Sequence, residues 1–187
     1  MAVPELIKQS DLSKQEAAKR LIHAAVDMFS ANADPIAIHV VASSALNILR
    51  ELSKVDGRRF VERVFQSALF NGAASHVAGE PTGLPDHPMV NEWIEGLAQA
   101  IESGAVQEPC DIKINDAQKL EVETLKYLVD PFNFLKHADR DPDGKLDVSE
   151  VKPVEATSFA VTAYGFLFPA DKVDDKVGQF LKEHGVI

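Results

Sequence analysis

The chain has 187 residues, of which 45% are hydrophobic and 26% charged, with a formal charge of -10. A single domain of this size buries roughly two-thirds of its unfolded surface, and the composition excludes disordered, collagen-like and disulfide-rich classes. The negative charge opposes tight sequence-independent binding to nucleic acid, where Lys and Arg supply most of the affinity. The single cysteine, Cys110, excludes an internal disulfide and a Cys-rich zinc site.

Cys110 has no CxxC neighbour in "QEPCDIK", so it reads as a buried or idle thiol and predicts no disulfide-linked partner. The N-terminal "MAVPELIKQSDLSKQEAAKR" lacks an apolar stretch behind a basic start, so no signal peptide is expected and residues 1–12 read as a flexible segment. No run approaches the ~18 apolar residues of a membrane span, and the expected address is the cytoplasm.

In chain order the pattern is helical almost throughout. Ser13 and Glu16 form a capping box that opens "KQEAAKRLIHAAVDMFS", where Ala18, Leu21, Ile22, Ala25 and Phe29 recur at helical spacing. Asp34 and Pro35 give the next start signal, an N-cap followed by a first-turn proline. The helix they open, "PIAIHVVASSALNILRELSK", is apolar over a wide arc and is expected to be the most buried, with His39 a hydrogen-bonded core residue. Ala42, Ser43, Ser44 and Ala45 would let a neighbouring helix approach closely.

A third helix is expected over "RRFVERVFQSALFNGAASHV", weakened near Gly72. The loop "AGEPTGLPDHP" leads into "MVNEWIEGLAQAIESG", with an apolar stripe at Val90, Trp93, Ile94, Leu97 and Ile101 that makes Trp93 a packing residue. The irregular "AVQEPCDIKIND" contains the one short strand-like run, "CDIKI". "AQKLEVETLKYLVDPFNFLKHA" is again helical, with Pro131 expected to kink or divide it. Two more helices, "VEATSFAVTAYGFLF" and "DKVDDKVGQFLKEHG", complete a single all-α domain, 1–187, of about six to eight helices packed as a bundle.

Chemistry concentrates in "HADRDPDGKLDVSE" and the helix before it. In one register Asp139, Asp141, Asp143, Gly144 and Glu150 fill the ligand and turn positions of an EF-hand calcium loop. Lys145 would offer its carbonyl and Asp147 would bind through water. Against that reading, no second D-x-D-x-D-G string occurs, and Pro153 falls in the second turn of an exiting helix started at Val148. An Asp/Pro/Gly-rich turn ending a helix is the plain alternative.

In the other register Asn133, Lys136, His137 and Arg140 stand three and four apart, on one face of a continuing helix. A histidine beside two cations suits acid–base work on a phosphodiester, or a polar network that fixes the helix end.

The stretch "FNFLKHADRDP", with "AIHVVASSALNILREL" upstream, resembles a broad group of bacterial all-helical proteins, which in turn resembles the HEPN superfamily of four-helix bundles. The resemblance spans roughly residues 15 to 170, though only the short motif is specific. It implies a HEPN-like bundle of dimeric habit. HEPN ribonucleases carry an Arg and a polar residue ahead of a His on one helix; Asn133 matches the polar residue and His137 the histidine, while Phe132 stands in the arginine's place.

Three functional readings follow. The leading one is a HEPN-like binding or regulatory protein, a possible homodimer engaging RNA or a protein partner without a cofactor, whose enzymatic form would be a metal-independent ribonuclease using His137. The second is a calcium-binding protein with one loop from Asp139 to Glu150. The third is a non-catalytic protein-interaction module.

Overall fold

The computed structural model describes residues 11–54, 59–84, 86–137 and 142–184. Among them are seven α-helices: α1 (Lys14–Ser30), α2 (Pro35–Ser53), α3 (Phe60–Val77), α4 (Pro88–Glu102), α5 (Ala117–Lys136), α6 (Pro153–Leu167) and α7 (Asp175–Glu183). Single 3-10 turns stand at Pro109–Asp111 and Val148–Glu150. No strand occurs among the described residues, so "CDIKI" is a 3-10 turn followed by extended chain. Its backbone is held by the turn and by α3, whose Gln66 Nε2 donates to the Ile112 carbonyl at 2.8 Å.

Helix starts are set by the expected caps. Ser13 Oγ accepts from Glu16 N at 3.1 Å, and Asp34 Oδ1 accepts from Ile36 N at 2.8 Å. Arg59 provides no side-chain cap for α3. Its open N-terminus is served from α5 instead, where Glu121 Oε2 accepts from Val61 N at 2.8 Å. α5 runs through Pro131 as one helix.

α2 is the central element. Ile38, His39, Ala42, Ser43, Ala45, Leu46 and Leu49 are buried along it, and α1 and α6 pack on either side. Ala25, Ala42 and Ala156 meet with Ile38 where the three helices cross. Such small residues let helix backbones come close without cavities. By length and composition α2 could cross a membrane; here α1, α5 and α6 pack on it and 44% of the stretch is buried. α7 is strapped to α1 through Phe29 and Phe180, ring centroids 4.8 Å apart.

α3 and α4 form a second layer beside this core, with α4 seated on α3. The seat is Gly72. A Cβ there would stand 2.7 Å from Leu84 Cδ1, 3.1 Å from the Thr82 carbonyl oxygen and 3.2 Å from Ile94 Cδ1. The expected weakening of α3 at Gly72 does not occur, because the glycine is where the 82–84 loop and α4 approach the helix.

Candidate functional site

The C-terminal end of α5 is polar. Asn133 and Lys136 are exposed there, and Lys136 Nζ lies 5.8 Å from the Phe132 ring centroid. His137 leaves the helix as its C-cap, donating its backbone N–H to the Asn133 carbonyl at 3.0 Å. Phe132, in the place of a motif arginine, is buried. Arg140, Asp139 and Asp141 lie outside the described residues.

Downstream, Asp143, Lys145, Asp147 and Glu150 are all exposed. The expected exiting helix is instead a 3-10 turn, Val148–Glu150, and Pro153 opens α6 at its first position, where no donor is needed. Asp147 Oδ1 caps the turn by accepting from Ser149 N at 2.9 Å. That backbone donor holds the Asp147 carboxyl below its ordinary range. Glu150, Asp130, Lys126 and Lys152 share a cleft of about 540 Å³ between α5 and this turn.

Two polar clusters are structural. Tyr164 is wholly buried and donates to Asp171 Oδ2 at 2.6 Å. Gln15 Nε2 donates to the same oxygen at 3.0 Å, and Lys19 bonds Asp171 Oδ1. Lys19 above all, then Tyr164, holds the Asp171 carboxyl down at about 2. This network fastens the α6–α7 connection to α1.

The second is His39, fully buried on α2. Its Nε2 lies 3.4 Å from Ser43 Oγ, and Ser43 donates to the Leu128 carbonyl at 3.5 Å. Burial pushes the His39 pKa down, while the Lys152 carbonyl and Glu155 pull it partly back.

Cys110 is exposed rather than buried, because the turn at Pro109–Asp111 sits outside the core. Its Sγ donates to Glu108 Oε1 at 3.0 Å. Glu108, Cys110 and Asp111 form the one group of potential metal ligands among the described residues, fully exposed, and Asp111 Oδ2 is already engaged by the backbone N–H of Gln107 and of Glu108.

Trp93 is likewise not the packing residue its spacing suggested: it is 49% exposed. On α4 only Ile94 and Ala98 are buried. At about 100° per residue, Ile94 and Ala98 face α3, while Met89, Trp93, Gly96 and Ala100 fall on a strip about 150° further round, with Val90, Leu97 and Ile101 between. Met89 is 51% exposed, and a Cβ at Gly96 would meet nothing within 4 Å. The strip borders a groove of about 620 Å³ floored by Phe65, Leu69, Leu97, Ile112 and Leu120. Glu92 stands on the α4 wall and Lys113 on the opposite wall.

The signal for this strip was present in the sequence. α4's apolar residues occupy about 200° of its circumference, more than one neighbour can cover. No protein-family model matches the chain, and no match is found among curated proteins or solved structures.

Proposed function

We propose that the protein is a non-catalytic interaction module whose α3–α4 groove receives an amphipathic helix from a partner. The exposed residues Met89, Trp93 and Gly96 carry this reading, because they continue α4's apolar face beyond what the fold buries. Trp93 is a natural anchor. With 49% of it exposed, covering its remaining ~100 Å² at ~25 cal/mol per Å² contributes roughly 2.5 kcal/mol.

The test uses a synthetic peptide of about 18 residues, long enough for a marginal helix, with a Leu stripe on one face and Gln elsewhere. Trp93 is the chain's single tryptophan, so its emission reports on the groove directly. A saturable blue shift is the expected result, absent with a scrambled peptide of the same composition. Equal response to both peptides, or to neither, removes the reading.

A calcium loop from Asp139 to Glu150 is the second reading, favoured by one observation. Asp147, ninth in the loop, caps the turn that delivers Glu150, with Glu150 N donating to the Asp147 carbonyl at 2.9 Å. Glu150 is exposed at that turn, and a calcium loop takes a bidentate glutamate as its twelfth residue.

A further inference from the structure

α7 is intrinsically weak. It has 9 residues, fewer than the ~12 at which an isolated helix becomes marginal in water. Its N-cap, Asp174, makes no side-chain cap hydrogen bond; the carboxylate lies toward α1 instead, with Oδ2 3.6 Å from His23 Nδ1. Gly178 stands in the middle of the helix, where a Cβ would meet nothing within 4 Å. No close approach calls for a glycine there, and it weakens the helix about fivefold relative to alanine.

The two ends of this region are held differently. Asp171, ahead of α7, is pinned to α1 and α6 by Lys19, Gln15 and the buried Tyr164. α7 itself packs chiefly on α1 and buries Val177 and Phe180. The Phe180 and His184 rings lie 4.8 Å and 5.2 Å from the Phe29 ring, centroid to centroid. Beside that contact Lys176 Nζ donates to Asp27 Oδ1 at 2.8 Å, and both residues are exposed.

We propose that α7 is a hinged strap, which swings off α1 about the pinned Asp171 while α1, α2 and α6 stay folded. The Lys176–Asp27 pair is its catch. Opening uncovers Phe29, which packs against both the cluster containing Val177 and Phe180 and the crossing of Ala25, Ile38, Ala42 and Ala156. Closure is salt-sensitive, because an exposed ion pair is screened by salt while the apolar contact is not.

Amide hydrogen exchange of the full chain, read by mass spectrometry over α7, α2 and α6, tests this. α7 is expected to exchange faster than α2 and α6, and to speed up roughly threefold from low to high salt as the pair is screened. Asp27→Lys, which sets two cations together, should speed α7 exchange at low salt, and adding Lys176→Asp should restore it. Gly178→Ala should slow α7 exchange about fivefold. Exchange in α2 and α6 should stay unchanged throughout, which also shows that each variant is folded.

α7 exchanging in step with α2 in every variant overturns the proposal, because the helix then opens only with the whole fold. Faster exchange that ignores both salt and the charge swap also overturns it, since α7 would then fray with no catch to hold it.

Discussion

Gly72→Ala tests how tightly α4 is seated. The added methyl would lie 2.7 Å from Leu84 Cδ1, which can swing aside, but also 3.1 Å from the Thr82 carbonyl oxygen and 3.2 Å from Ile94 Cδ1. The carbonyl is backbone, and Ile94 is the main buried contact of α4. Overpacking of this kind costs about 2 kcal/mol, while replacing a mid-helix glycine by alanine recovers about 1 kcal/mol. The net expectation is a loss of roughly 1 kcal/mol, or a fall of about 3 °C in melting temperature at this chain length. Gly165→Ala is the control: it too is inside a helix, α6, but its Cβ meets nothing within 4 Å. It should gain up to about 1 kcal/mol. Both melts are read by far-ultraviolet circular dichroism. If Gly72→Ala stabilises as much as Gly165→Ala, the α3–α4 contact has slack, and the geometry of the groove beside it is not fixed as described.

Tyr164→Phe keeps the buried ring but removes the hydroxyl that donates to Asp171; a loss of about 1 kcal/mol in urea unfolding is expected, and no loss would show the network to be dispensable. Lys19, Tyr164 and Gln15 hold the folded Asp171 pKa at about 2, below its ordinary 3.8. Its contribution is therefore present above pH 3.8 and lost as pH falls through about 2. His39 has a depressed folded pKa against an ordinary 6.5, so its neutral form stabilises the fold above that value and the benefit declines as pH drops below it. Urea midpoints measured across mildly acidic pH should fall in the wild type and fall less in His39→Gln; parallel profiles would refute the assignment. On the calcium-loop reading, calorimetric titration with calcium shows one saturable site that disappears in Asp143→Ala and Glu150→Gln, and no heat at millimolar calcium removes that reading.

The fold was legible in the sequence because its local rules agree. The Ser13 and Asp34 caps, the wide apolar arc of α2 and the stripe of α1 all appear where the pattern places them. The departures have local causes. Pro153 read as an interruption because a helix was started too early; it is a helix beginning. Gly72 read as a weak point because a single sequence does not reveal that the 82–84 loop packs on it. Trp93 read as core because helical spacing identifies an apolar face but not how much of that face a neighbour covers. The polar residues of "HADRDPDGKLDVSE" are legible by type and spacing, whereas the open groove is made of residues that look like core until their exposure is known.

The most direct test of the docking groove is an amide-resolved NMR titration of the protein with the Gln-flanked, Leu-striped peptide. The account predicts shifts gathered on Leu69, Trp93, Gly96, Leu97 and Ile114, the residues that line the groove. Shifts gathered instead on Lys126, Asp130, Ser149 and Lys152, around the cleft between α5 and the 148–150 turn, would contradict it.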